Sequence, residues 1–313
     1  MGVLAFVPSK HASTTYVFTH IVNNTGWGST FYVLLLGLLL AQYTFTGYDA
    51  SAHMTEETHN AARSGPRGIV MSIVVSLIAG WVLLIGITFA IQEQHYTLYT
   101  SALVPPAQIW ATAIGDTGAK LLLLVVIGAQ LFCGMSSVTA NSRMIYAFSR
   151  DGALPGSSFW HRVNKRTRTP TNAIWLAAGG ALILGLPYLW NSAAYAAVTA
   201  IATIGLYIAY VTPTYLRLRQ GESFKRGPWH LGRWSYVVGW IAVAWVAFIT
   251  ILFMLPTASP IGWGNFNYTV IAVLVVIGFA GIYWLVSAKN WFTGPKVQGT
   301  PAELAAIEHE LSS

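Results

Sequence analysis

Seven stretches of this sequence stay apolar for long enough to cross the hydrocarbon of a bilayer, and nothing else in the chain limits the fold as strongly. They run Phe31–Met54, Gly68–Ile91, Gly118–Phe148, Ala173–Trp190, Tyr195–Leu216, Tyr236–Leu255 and Tyr268–Ala288. As helix, about 20 residues at roughly 1.5 Å each cover the ~30 Å apolar layer, whereas a barrel strand needs only about 9 to 11 and alternates in polarity. None of the seven runs alternates at period 2. Backbone polar groups in lipid must bond within their own segment, so the expected fold class is an all-α integral membrane protein with about seven transmembrane helices. Composition agrees: 55% of the chain is hydrophobic and 9% charged, against roughly 25% charged in a soluble domain. So few charges cannot cover a surface facing water.

The net charge of +7, from 17 Lys plus Arg against 10 Asp plus Glu, would raise the question of nucleic acid in a soluble protein. Placement answers it. Arg63 and Arg67, the group Arg143 to Arg168, the group Arg217 to Arg233, and Lys289 with Lys296 all fall on one set of alternate loops; the other set holds only Lys10 and Lys120. Positive residues gather in cytoplasmic loops. The C-terminus is therefore expected in the cytoplasm of a cell-membrane protein and the N-terminus outside, with the lipid bilayer as partner and no nucleic acid.

The stretch Met1–Val7 is apolar but lacks the basic start and cleavage site of a signal peptide. It reads as the end of an earlier span, so the chain is expected to begin partway through a longer protein. Residues 1–30 are then an extracytoplasmic segment, 217–235 a cytoplasmic loop, 236–288 two final spans and 289–313 a cytoplasmic tail. The outer loop Gln92–Thr117 is long, and its Ser101–Ile114 part is expected to pack as a short external helix. Cys133, the single cysteine, lies within an apolar run and is expected to be a small buried hydrophobe. Asn23-Asn24-Thr25 and Asn267-Tyr268-Thr269 fit a glycosylation pattern that is common by chance.

Asp49 is the one acidic residue inside a span. A carboxylate at membrane depth costs about 2.5–3.5 kcal/mol on insertion scales and by default marks a ligand or ion path. A plainer reading also stands: near the inner end of its span, Asp49 reaches water or starts a helix. Its surroundings bear on the choice. Thr44-Phe45-Thr46-Gly47-Tyr48-Asp49-Ala50-Ser51 interrupts a Leu-rich run with glycine, hydroxyl residues and the acid, all weak helix-interior residues. Irregular backbone at that depth survives only where it lines a cavity or is buried in protein, and discontinuous helices of this kind form transporter substrate sites. The first half-helix is expected to end near Phe45 with carbonyls suited to an ammonium group. Tyr43, Phe45 and Tyr48 either flank a ligand or pack as ordinary helix residues.

At this point two long motifs carry a family resemblance. Phe45-Thr46-Gly47-Tyr48-Asp49-Ala50-Ser51-Ala52-His53-Met54-Thr55-Glu56-Glu57-Thr58, with Pro66-Arg67-Gly68-Ile69 after it, resembles the sixth helix and following loop of amino-acid permeases of the amino acid/polyamine/organocation superfamily. It looks closest to the amino acid/choline group that includes GABA permeases. Asn141-Ser142-Arg143-Met144-Ile145-Tyr146-Ala147-Phe148-Ser149-Arg150-Asp151-Gly152-Ala153-Leu154-Pro155 resembles the inner end of the eighth helix, and Thr169-Pro170-Thr171-Asn172 the start of the ninth. The resemblance implies two inverted five-helix repeats plus two further helices, with ligand held between broken first and sixth helices. It makes residues 31–216 the second repeat, so that the chain is the C-terminal portion, lacking helices one to five. Carried over by position, Tyr43, Phe45, Thr46, Gly47, Tyr48 and Asp49 line the substrate site and Ser137 faces it. The implied function is secondary transport of an amino acid or an amine such as GABA by alternating access, coupled to protons or another ion gradient, with no cofactor.

Rival readings fail on spacing or count. His53, Glu56, Glu57 and His59 do not have the H-E-x-x-H arrangement, and on a helix the two histidines fall on different faces; an interfacial loop fits them better, and no metal is expected. Arg143, Arg150 and Asp151 tie a helix end to headgroups and loops, or form an inner gate. An intramembrane aspartyl protease needs two carboxylates sharing a proton, and Asp116 lies on the outer side. A channel would show rings of polar pore residues. A structural membrane subunit without transport remains the other alternative.

Overall fold

The computed structural model of the chain describes Leu4, Pro8 and residues 10–294 apart from Asn191. The tail beyond Gly294, with Lys296, and most of the apolar start lie outside the described residues. Seven segments among those described are long and apolar enough to cross a membrane. Their α-helices are α1 (Thr30–Thr44), α2 (Ala61–Phe89), α3 (Pro105–Arg150), α4 (Thr171–Gly185), α5 (Ser192–Gln220), α6 (Trp234–Met254) and α7 (Thr269–Val286). Each coincides with one of the apolar runs.

Two departures from those runs have local causes. The first run holds α1 only to Thr44, and continues after Gly47 as a 3-10 helix over Tyr48–Glu57. The third run is preceded by an extra helical stretch from Pro105, joined to the span through Gly115 at φ 77° and ψ 165°. A helix is expected over Ser101–Ile114, and the chain is helical there from Pro105. Pro105 and Pro106 open it, where a missing N–H is harmless.

Contacts divide the chain into two compact units, Met1–Val22 with Val70–Ser137 and Asn23–Ile69 with Val138–Ser313, whose borders fall inside α2 and α3. In the first unit, Ala90, Tyr99, Ile109, Trp110 and Ala119 share a buried cluster, and the Tyr99 hydroxyl lies 2.8 Å from Thr112 Oγ1. In the second, Ile204 of α5, Ile249, Leu252 and Phe253 of α6 and Val273 of α7 form the core, with Tyr32, Leu35, Leu36 and Leu39 of α1 packed on it. Asn267 closes the α6 end by donating to the carbonyls of Phe253 at 2.8 Å and Leu255 at 2.7 Å, so this amide of the glycosylation pattern is engaged inside the protein.

The outer faces are apolar. Leu124 and Phe132 on α3 and Leu274 and Phe279 on α7 are each between 64% and 70% exposed. A soluble monomer seldom shows apolar patches of more than a few hundred Å², whereas lipid accepts such a face. Cys133 shares it: the residue is exposed, which corrects the expectation of a buried hydrophobe. A run apolar on all sides does not reveal which side packs on protein.

Candidate functional site

The break in the first span is set by one backbone conformation. Gly47 has φ 83° and ψ 9°, the left-handed region that other L-residues enter at a cost. The chain leaves α1 there and restarts as a 3-10 helix whose residues pack against the start of α2. A Cβ on Gly68 would lie 3.1 Å from Ser51 Cβ, and one on Gly65 would lie 3.0 Å from Thr55 Cγ2. The two glycines, three apart on one face of α2, permit that approach.

Asp49 sits just after the break and is held on both oxygens. The Tyr210 hydroxyl, from α5, donates to Oδ1 at 2.6 Å, and His53 Nε2 lies 3.0 Å from Oδ2. The same Tyr210 oxygen accepts the Gly47 amide at 3.3 Å. One hydroxyl therefore satisfies both the first donor of the break and the acid beside it. The Tyr210 ring packs on Tyr48 with centroids 4.5 Å apart, and on Tyr207 at 6.1 Å. The Asp49 side chain is 24% exposed and that of His53 29%.

The carbonyls at the end of α1, expected to suit an ammonium group, already accept hydrogen bonds within the protein. Leu40 O accepts the Thr44 hydroxyl, Ala41 O the Phe45 amide, Gln42 O the Tyr207 hydroxyl and Tyr43 O both donors of Thr46. Threonine hydroxyls bond back to the preceding turn, so the polar residues of the break serve the helix they interrupt. Gln42 also receives the Trp245 indole N–H at 3.4 Å.

Two cavities in this unit take residues from opposite sides of the break. One, of about 530 Å³, is lined by Leu39 and Tyr43 of α1 together with Thr199, Phe253, Phe266 and Asn267. The other, of about 670 Å³, is lined by Ala52, His53 and Thr55 of the 3-10 helix, by Ser142, Arg143, Tyr146 and Arg150 of α3, and by Arg168.

The expected site residues thus divide. Gly47, Tyr48 and Asp49 come together around Tyr210; Phe45 and Thr46 form the half-buried end of α1; Tyr43, 52% exposed, lines the other cavity. Ser137 belongs to the first unit, is exposed, and donates back to Cys133 O at 3.0 Å. His53 is not in an interfacial loop as its sequence context suggests: it lies in the 3-10 helix, four residues past Asp49 and bonded to it. Tyr207 and Tyr210 are participants that sequence reasoning did not single out, and His53 was weighed there only as a metal ligand.

Comparison with known proteins decides the family. The model of the amino acid permease family matches residues 1–279 of the chain. The chain belongs to the amino acid permease family. It is of the amino acid/polyamine/organocation superfamily type and is broadly related to GABA permeases; the family is one of transporters and not of enzymes. The permease is 48% identical to the amino-acid permease BAT1 homolog of Oryza sativa subsp. japonica over 300 residues, 92% of this chain and 58% of that one. To the amino-acid permease BAT1 of Arabidopsis thaliana it is 46% identical over 306 residues, 94% of this chain and 59% of the other. The GABA-specific permease of Saccharomyces cerevisiae is 34% identical over 284 residues, 90% of this chain and 50% of that protein. The chain therefore spans between half and three-fifths of the length of these relatives.

Proposed function

We propose that this permease moves amino acids or related amines such as GABA across the cell membrane by alternating access, as a secondary active transporter coupled to protons. The observation that carries the reading is the broken first span: a carboxylate beside a left-handed glycine, held from another helix by Tyr210, with a cavity on each side of the break. Asp49 senses or relays charge near the ammonium group of the ligand. Gly47 and Tyr48 shape the break, Phe45 and Thr46 form its near wall, Tyr43 meets the ligand in the cavity on the α1 side, and Ser137 is assigned to the site by its place in the family resemblance alone. Opening requires Tyr210 to leave Asp49, since one hydroxyl closes both the acid and the Gly47 amide.

In this reading α1 to α7 correspond to helices six to twelve of the inverted-repeat fold, with residues 31–216 as the second repeat. The arginine-bearing loops and the C-terminus face the cytoplasm, in keeping with the positive-inside rule.

The test is uptake of a radiolabelled amino-acid mixture with GABA into proteoliposomes that carry the chain and an inward proton gradient. Uptake by wild type that is lost in Asp49→Ala, with reconstitution yield unchanged, is the expected result. No uptake by wild type, or near-normal uptake by the variant, overturns the assignment.

A further inference from the structure

We infer that His53 is the proton port of the Asp49 site, carrying protons between the arginine-lined cavity and the Asp49 carboxylate. The inference rests on the transport reading above and deepens it by giving the coupling ion a route.

His53 belongs to both places. Its Nε2 is 3.0 Å from Asp49 Oδ2, and its side chain lines the cavity of about 670 Å³, whose described lining does not include Asp49. Imidazole has two nitrogens that exchange donor and acceptor roles, and its ordinary titration range lies nearest to neutrality. With Nε2–H toward Asp49, Nδ1 has no hydrogen-bond partner among the described residues and is left for cavity water. The step balances. A hydronium of the cavity gives its proton to Nδ1 and becomes water; the N–H bond at Nε2 breaks as an O–H bond forms at Oδ2. The neutral ring resets when Nδ1 gives a proton to cavity water and Nε2 takes one back from it, so that one proton has moved to Asp49 and no charge is left on the ring.

The charged and titratable groups around this path are few. On the Asp49 side stand Tyr210 of α5, bonded to the other carboxylate oxygen, with Tyr48 and Tyr207 packed on its ring. On the cavity side are Arg143, Tyr146 and Arg150 of α3 and Arg168 of the following loop. Arg150 lies 3.6 Å from Asp151, and Arg143 makes its own interactions. The three guanidinium groups oppose every cation that enters, hydronium and hydrated metal ion alike, so selection falls to the relay itself. A proton needs only to shift along water and ring hydrogen bonds.

Delivery also has a structural consequence. Hydrogen bonds to an ionised carboxylate are roughly twice as strong as neutral ones. A proton placed on Asp49 through His53 therefore weakens the 2.6 Å bond from Tyr210, the contact that closes the break.

The decisive experiment follows the infrared carbonyl band of protonated Asp49, assigned by its loss in Asp49→Asn, after an acid jump on the purified chain in lipid nanodiscs. His53→Gln keeps an amide N–H for the carboxylate but passes no proton through. It is expected to slow the appearance of the band by about tenfold or more, within the usual reach of a positioned proton-transfer group. An unchanged rate overturns the inference. This readout needs no substrate, so it is independent of whether the chain transports. In proteoliposomes the same variant is expected to lower the ratio of gradient-driven accumulation to substrate exchange; a wild-type ratio overturns the port, whereas absence of both activities in wild type defeats the transport reading.

Discussion

Removing one oxygen at Tyr210 tests how the break is held. Tyr210→Phe keeps the ring that packs on Tyr48 and Tyr207 and deletes the hydroxyl that donates to Asp49 Oδ1 at 2.6 Å and accepts from the Gly47 amide at 3.3 Å. A hydrogen bond to a charged group is worth about 1.5–3 kcal/mol in soluble proteins, but interhelical bonds within membranes average about 0.6 and reach about 1.7 kcal/mol. Asp49 is 24% exposed and retains His53 on its second oxygen, so its charge is partly met without Tyr210. Gly47 is exposed, and its amide finds water at little cost. Those facts place the coupling near the top of the membrane range, about 1–1.5 kcal/mol, close to a factor of ten in an equilibrium constant. The assay is a double-mutant cycle of Tyr210→Phe and Asp49→Ala, with unfolding followed in mixed micelles titrated with a denaturing detergent. A coupling below about 0.3 kcal/mol, within the scatter of independent sites, would refute the account.

Two backbone predictions follow from the same segment. Gly47→Ala meets no heavy atom within 4 Å of the new Cβ, so its expected loss of about 1–2 kcal/mol is purely the cost of a left-handed L-residue; Gly47→Asn should lose less, and wild-type stability for the alanine variant in the detergent titration would rule the conformation out. Gly68→Ala drives a methyl to 3.1 Å from Ser51 Cβ, an overpacking expected to cost about 1–3 kcal/mol. Adding Ser51→Gly removes the clash, so the double variant is expected to be less destabilised than the two single losses together, and simple additivity would show that the 3-10 helix does not pack there.

The spans were legible because lipid imposes a single demand, length without charge, that each run either meets or fails. The break was legible because glycine and hydroxyl residues stand where a Leu-rich helix has no reason to hold them, and Gly47 does adopt the left-handed conformation. What holds the break was not legible. Tyr210 is 161 residues from Asp49, and its only local signal is a second tyrosine three positions earlier, on the same face of α5. Tyrosines that merely pack in a membrane helix give the same pattern. Cys133 failed for a related reason, since composition fixes burial in lipid but not against protein.

His53 shows why the acid could be found without its partner. A helical count from His53 to His59 has no helix to act on, since the 3-10 helix ends at Glu57, and the question that mattered was the count back to Asp49. Four residues bring the imidazole within 3.0 Å of the carboxylate, and the chain between them is the 3-10 helix that Gly47 starts. The charge, its ring partner and the broken backbone therefore depend on one another. Straightening the break would carry the Gly47 amide away from Tyr210 and Asp49 with it, leaving the carboxylate with one fewer donor. That coupling gives the left-handed glycine a physical reason to persist just past a leucine-rich helix.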